Sequence, residues 1–327
     1  MEKNKRRWKK RYVIPALILL FLFWLLVRQV FFTEPEREWD DDLSQSDIGY
    51  IEYEGKKYKY DANIMNILFL GIDKNDELHT LNMPGEAGQA DCIMILSLNR
   101  TDKTAHILQI PRDTMTDVDI YDVNGTYRST VFEQIATQYA YSIGGKNSCF
   151  ATQKTVSELL YELPIDGYLA MDMSAVAKIN DALGGVTLTI PEDYTRIDPA
   201  FVAGTTLKLT GKQAYDYVHY RDYDVDFSNN GRMQRQIDYI PALIETIREN
   251  FEADENYYET FYPLVEDYMV TDLNEEEVNR LIEYELDVEN ITILPGEGKK
   301  GEKYEEFYVD QEKIQKILIE MFYILKE

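Results

Sequence analysis

From about residue 61 onward the apolar positions fall into short runs separated by polar turns. Asn66-Ile67-Leu68-Phe69-Leu70-Gly71-Ile72 is nearly continuous, the pattern of a strand buried on both faces. Residues 92–98 and 106–110 repeat it on either side of Asn99-Arg100-Thr101-Asp102-Lys103, a polar turn of hairpin length. Helical periodicity follows at 131–142, 152–162 and 174–183. The last of these begins after Ser174 and stops at Gly184-Gly185, with a strand at 186–190 beyond. Further helices are expected at 210–220 and 231–250. Residues from about 250 read as helix, strand, strand, helix, closing on the apolar stripe Ile314, Ile317, Leu318 and Met321. The alternation predicts an α/β fold with α+β layering, a central mixed sheet flanked by helices.

The first thirty-two residues have a different pattern. Lys3, Lys5, Arg6, Arg7, Lys9, Lys10 and Arg11 precede an uncharged run at 13–27 that is apolar apart from Pro15, and Val30, Phe31 and Phe32 extend it past Arg28. Twenty residues at the helical rise cover about 30 Å, the thickness of a bilayer core. The run leads into Phe31-Phe32-Thr33-Glu34-Pro35, where a signal peptide would present small residues for cleavage. The expectation is a single-pass membrane anchor with its basic side in the cytoplasm by the positive-inside rule. The organisation is then a cytoplasmic basic tail at 1–11, a transmembrane helix at 12–32, an acidic extracellular stalk at 33–60, and an extracellular domain at 61–327 with a C-terminal elaboration from about 250.

Charge sharpens the contrast. The 327 residues carry 34 Lys and Arg against 59 Asp and Glu. Residues 1–32 hold eight basic and one acidic residue, which leaves 26 against 58, or -32, for the rest. A field of that sign repels phosphate polymers, so no nucleic-acid partner is expected. Three histidines and two cysteines, without HExxH, CxxC, a P-loop or GxSxG, argue against zinc hydrolysis, P-loop chemistry and a serine elbow.

Charged residues do collect at strand ends. Asp73 follows the first strand, Asp91 precedes the second and Arg112-Asp113 follows the third. If the first strand runs antiparallel to the second, all of these share one edge of the sheet. Two carboxylates and an arginine there can hold a divalent metal and an anionic oxygen together; the alternative is ordinary solvated charges, with Arg112 paired to Asp113. A second group runs from His219-Tyr220-Arg221-Asp222 to Gly231-Arg232-Met233-Gln234-Arg235-Gln236. It places Arg232, Arg235 and Gln236 on one helix face. A basic face in an acidic domain suits a compact polyanion such as pyrophosphate. Salt bridges to Asp222, Asp224 and Asp226 are the competing reading.

These blocks, in this order, resemble the LytR-CpsA-Psr family of bacterial cell-envelope proteins. The matching stretches are Leu68-Phe69-Leu70-Gly71-Ile72-Asp73, Ala90-Asp91-Cys92-Ile93-Met94-Ile95 with Ile110-Pro111-Arg112-Asp113-Thr114, Ile165-Asp166-Gly167-Tyr168 with Asp181-Ala182-Leu183-Gly184-Gly185-Val186, and Leu209-Thr210-Gly211-Lys212-Gln213-Ala214-Tyr215 leading to Tyr220-Arg221 and the 231–236 block. The resemblance implies a membrane-anchored phosphotransferase. It would move a glycopolymer, of the teichoic-acid or capsular-polysaccharide kind, from a polyprenyl-pyrophosphate carrier onto peptidoglycan, with Mg²⁺ as cofactor. Carried over by motif, Asp73 and Asp91 are the metal carboxylates, and Arg112, Arg221, Arg232, Arg235 and Gln236 are the pyrophosphate cradle. Arg112 and Asp91 are the catalytic pair, Asp91 as the acceptor of the hydroxyl proton. The sequence departs from the family pattern where Lys74-Asn75, Gln89 and His219 stand in for arginines and Gln134 for a basic residue. Each departure removes a possible phosphate contact and keeps open a non-catalytic lipid-carrier-binding protein. A transcriptional attenuator is disfavoured by the short basic tail and the absence of a helix-turn-helix pattern.

Cys92 and Cys149 are the two cysteines of the chain and both fall in the expected extracellular part, so a disulfide between them is expected. The alternative is that Cys92 is a buried apolar thiol.

Overall fold

The computed structural model describes residues 50–74, 78, 83–222, 224–254 and 257–326. The expected basic tail, the anchor and residues 33–49 of the expected stalk lie outside them. Among the described residues no helix is long and apolar enough to cross a membrane.

The described chain opens with β1 (Tyr50–Tyr53) and β2 (Lys56–Tyr60), a hairpin inside what the sequence suggested was stalk. Glu54 and Gly55 turn it with φ of 50° and 73°, which only a glycine-containing turn accommodates easily. The acidic and lysine-rich surface hid the period-two signal. Tyr60 is buried, and its hydroxyl donates to the Ile64 carbonyl and accepts from Asn66, tying the hairpin to the core.

Next come β3 (Ile64–Ile72), β4 (Ala90–Asn99) and β5 (Thr104–Ile110), the three strands expected from the apolar runs. A ribbon of β6 (Met115–Tyr121) and β7 (Tyr127–Gln134) follows, then α1 (Thr137–Ala140) and α2 (Gly145–Leu159). The sequence predicted a helix over 131–142. Val131, Ile135 and Tyr139 fall at helical spacing, but Tyr127, Thr130, Val131 and Phe132 favour extended backbone and pair with β6 as far as Gln134.

The chain continues through β8 (Gly167–Asp172), α3 (Ala175–Ala182), the short pair β9 (Thr187–Thr189) and β10 (Thr206–Lys208), α4 (Gly211–His219) and the 26-residue α5 (Ser228–Ala253). A capping box starts α4: Thr210 Oγ1 accepts from the Gln213 amide, and the Gln213 side chain accepts from the Thr210 amide. The C-terminal part supplies α6 (Tyr257–Val265), β11 (Met269–Thr271), α7 (Glu275–Arg280), β12 (Glu285–Ile293), the hairpin β13 (Gly296–Lys300) and β14 (Glu305–Val309), α8 (Gln311–Phe322) and β15 (Tyr323–Leu325).

The central sheet is mixed and six-stranded, in the order β11-β8-β3-β4-β5-β12. β3, β4 and β5 are successively antiparallel, β8 runs parallel to β3 and β12 parallel to β5. Both edge strands therefore come from the C-terminal segment, and β15 pairs with β2. That segment completes the sheet.

Alternation divides the strands between two faces. Leu68, Leu70, Ile93, Ile95, Leu108 and Ile110 form one dry cluster with Val156 of α2 and Ile314, Leu318 and Phe322 of α8. On the opposite face Cys92, Met94 and Ile107 pack with Phe69, Leu96, Ile240 of α5, Leu286 and Ile291. A third cluster, around Ile190, Phe201, Tyr217 and Tyr239, joins α3, α4 and α5.

This division overturns the expected disulfide. Cys92 belongs to the α5 face and Cys149, on α2, to the opposite face, so strand alternation points Cys92 away from its expected partner. Both are buried free thiols, and burial pushes each up to about 12, which leaves them as inert apolar side chains.

Candidate active site

The sheet topology decides which strand ends meet. Because β4 is antiparallel to both β3 and β5, the end of β3, the start of β4 and the end of β5 lie at one edge. That edge carries Asp73, Asp91 and Arg112. The register between β3 and β4 shifts after Gly71, pairing Gly71 with Cys92 but Ile72 with Ala90, so Asp91 is the extra residue of a bulge. A bulge re-aims its side chain, and here it sets Asp91 between two guanidinium groups.

Arg112 sits in the turn Pro111 to Thr114, closed by the Thr114 amide on the Pro111 carbonyl at 3.0 Å. Its Nη1 donates to Asp91 Oδ1 and its Nη2 to Gln89 Oε1. Arg232, in the second turn of α5, donates to the other oxygen of Asp91. Its Nε and Nη2 are held by Asn229 Oδ1 at 3.2 and 2.7 Å. The Asp91 and Arg232 side chains are only 4% and 3% exposed, so this is an ion triad inside the protein. The positive end of the α5 dipole faces the same edge.

Arg221, just before α5, takes a separate partner. Its Nη2 donates to Glu305 Oε2 at 2.7 Å and its Nε to Ser228 Oγ at 3.1 Å. Glu305 lies on β14, and its other oxygen accepts from the Phe227 amide. Gln134 fixes the hairpin from below, donating to the Glu305 carbonyl at 2.7 Å and to Asp113 Oδ1 at 3.1 Å, while the Phe307 amide donates to the Asp113 carbonyl at 2.8 Å. Burial pushes the Asp113 carboxyl above the usual aspartate range, partly offset by Arg112. Gly298 lets the hairpin lie against the site, since a Cβ there would come within 2.7 Å of the Phe227 ring.

Arg235 and Gln236 are placed differently from Arg232. Arg235 Nε donates to the Tyr217 carbonyl at 2.7 Å and its Nη2 to the Tyr220 carbonyl, with the guanidinium 5.4 Å from the Tyr194 ring centre. Gln236 links the Val218 carbonyl to Gln109 of β5. Both side chains hold the C-terminal end of α4 against α5 and the sheet. Asp73 is about half exposed and lies 3.5 Å from His219 Nε2. Ligand atoms of Asp73, Asp91 and His219 all fall within 4.8 Å of one another, a separation that one divalent cation can bridge with small side-chain rotations. Two carboxylates among oxygen and imidazole donors fit such an ion.

Of the expected site residues, the fold brings Asp73, Asp91, Arg112 and Arg232 to one place and Arg221 to its border. Nothing in the sequence signals Glu305, 84 positions from its arginine and in no motif. Asn229 was equally silent.

A family model described as the LytR_cpsA_psr family matches residues 39–322. The chain is 26% identical over 280 residues, 84% of its length and 82% of the other's, to the polyisoprenyl-teichoic acid–peptidoglycan teichoic acid transferase TagU of Enterococcus faecalis. It is 31% identical over 182 residues to the TagU of Halalkalibacterium halodurans, a match covering 55% of this chain and 52% of that protein. Among solved structures, TagU of B. subtilis superposes with a TM-score of 0.56 at 20% identity, covering 79% of this chain and 95% of that one. TagT bound to LI-WTA does so with 0.57 at 21%, covering 80% and 90%.

Proposed function

The chain belongs to the LytR-CpsA-Psr family, and from that premise we propose that it is a phosphotransferase moving a glycopolymer from a polyprenyl-pyrophosphate carrier onto peptidoglycan. The observation that carries the reading is the bulge-mounted Asp91 gripping Arg112 and Arg232 beside Asp73, at the sheet edge where the apolar face under α5 begins. Relatives named as polyisoprenyl-teichoic acid–peptidoglycan transferases support the same chemistry.

Each part of the edge has a task in phosphoryl transfer. A divalent cation held by Asp73 and Asp91 supplies charge neutralisation on the pyrophosphate oxygens when bound. Arg112 and Arg232 stabilise the same developing charge, and because Asp91 fixes them beforehand they need little reorganisation. Asp91 takes the proton of the acceptor hydroxyl on a lone pair that its arginines leave open, each carboxylate oxygen having two. The prenyl chain would follow the apolar face under α5 from this edge, beginning at the partly buried Phe69 and Leu96; Met94 and Ile107 beside them are buried in the cluster that Ile240 of α5 joins. The anchoring of the domain to the outer face of the membrane by residues 12–32 belongs to the same proposal.

A second reading has its own observation. Arg221 is engaged by Glu305, Arg235 is engaged by backbone carbonyls, and Gln89, Gln134 and His219 are neutral or weakly basic where the resemblance implied basic residues. A protein that holds the lipid carrier without turning it over fits that reduced cradle. Incubation of the full-length protein with Mg²⁺, a pyrophosphate-linked lipid glycan and a peptidoglycan oligomer separates the two. A phosphodiester-linked product establishes the transferase; carrier binding with no product for any acceptor establishes the binding protein.

A further inference from the structure

His219 stands where the family resemblance led to an arginine, and the structure gives it a different use. It is the last residue of α4, and Tyr215, one turn earlier, stacks on its ring at 4.7 Å between centres and 16° between planes. The stacked ring sets Nε2 3.5 Å from Asp73 Oδ1, on the side of the cluster that also holds Asp91. An arginine at this position carries a fixed positive charge and no lone pair, so it repels a cation and attracts phosphate. A neutral imidazole removes that charge and adds a nitrogen donor.

The charge balance around Asp91 makes this substitution matter. Asp91 is paired with two guanidinium groups, so it offers a cation little net negative charge. Asp73, about half exposed, contributes one carboxylate and has room for bound water. Two carboxylates balanced by two arginines hold a hard cation weakly before the pyrophosphate arrives. An imidazole ligand strengthens the site without further negative charge, and it does so selectively. Nitrogen donors raise affinity along the series from Mn²⁺ through Co²⁺ to Zn²⁺ and do little for Mg²⁺.

We infer that His219 is a third ligand of the cation site, making it a mixed carboxylate–imidazole centre that prefers a divalent transition metal ion to Mg²⁺. This rests on the reading that Asp73 and Asp91 hold the divalent cation of a phosphotransferase. The position of Tyr215 gives the arrangement a support that does not touch the metal. Its ring holds the plane of the imidazole, and in that plane Nε2 lies 3.5 Å from Asp73 Oδ1.

The test uses the full-length protein and Mn²⁺ alone, without substrate. Electron spin echo envelope modulation of bound Mn²⁺ should show coupling to one imidazole nitrogen in the wild type and none in His219→Gln. Titration should show Mn²⁺ and Zn²⁺ affinity falling about tenfold or more in that variant while Mg²⁺ affinity changes little. His219→Arg should weaken all three ions. His219 is partly exposed at a helix end, and the wild-type spectrum needs no variant, so a folding defect cannot imitate the result. Bound Mn²⁺ without nitrogen coupling, yet lost in Asp73→Asn, overturns the inference and leaves the carboxylate site standing. Nitrogen coupling that persists in His219→Gln also overturns it. Mn²⁺ binding that is absent, or unaffected by Asp73→Asn, removes the inference and the underlying cation site together.

Discussion

The site has two halves that hold their arginines in different ways. At the sheet edge, Arg112 and Arg232 converge on Asp91 from a turn and a helix, and the triad is enclosed by β3, β4, β5 and α5. At the border, Arg221 pairs with Glu305 of a β-hairpin whose first strand is exposed throughout. The first half is part of the core, so its geometry is fixed by packing. The second is a contact between a loop and a hairpin, and its carboxylate occupies an arginine that the proposed cradle assigns to phosphate. Fixed charges suit stabilisation of a transition state, whereas a displaceable ion pair suits entry of a charged substrate.

The difference should appear most strongly in stability. Asp91→Ala leaves the Arg232 guanidinium without a carboxylate in the interior and Arg112 with Asp113 alone at 3.6 Å, and breaking a buried pair costs about 3–5 kcal/mol. Urea unfolding should report a loss of that size, and a loss near zero would show that solvent reaches the triad. Glu305→Gln keeps the hairpin shape and removes one charge from a less enclosed pair. A loss of about 1–2 kcal/mol is expected, together with tighter binding of inorganic pyrophosphate as Arg221 loses its charged partner. A stability loss equal to that of Asp91→Ala would erase the distinction between the halves.

Much of the edge was legible in the sequence, because the continuous apolar runs ending in Asp73, Asp91 and Arg112 define strands whose ends must carry those residues together. The bulge was not legible. It depends on the register between β3 and β4, which no single-strand pattern contains. The hairpin β1–β2 was hidden by lysines and glutamates on an exposed ribbon, and β7 by apolar residues that happen to fall at helical spacing. Arg235 and Gln236 share a helix face with Arg232 as expected, yet they meet the carbonyls at the end of α4. Which neighbour a polar side chain finds is set by packing between helices, and that information is not local. The pairing of cysteines failed for the same reason, since the face on which Cys92 lies follows from strand phase relative to α2 and α5.

The smallest expected effect lies between the halves, at Asp113, which touches Arg112 and is bonded by Gln134. Its carboxyl is raised by burial, so the folded protein binds that proton more tightly than the unfolded chain. The contribution favours the fold below the ordinary aspartate pKa and is lost as pH rises through the higher folded value. Asp113→Asn removes the titration and keeps an acceptor for Gln134. The fall in stability with rising pH across that window should become shallower in the variant. An unchanged slope would place the titration elsewhere.

The central claim is that the enclosed half performs chemistry as well as holding substrate, and Arg112→Ala tests it most directly. Arg232 still pairs with Asp91 in this variant, so the fold and the carrier site should survive, as a binding measurement with a polyprenyl-pyrophosphate glycan on the same sample can verify. Turnover to the phosphodiester-linked peptidoglycan product should then fall by roughly 10²–10³ with carrier affinity little changed, the signature of an interaction made in the transition state. Product formation at the wild-type rate in Arg112→Ala, with the carrier bound equally well, would contradict the account.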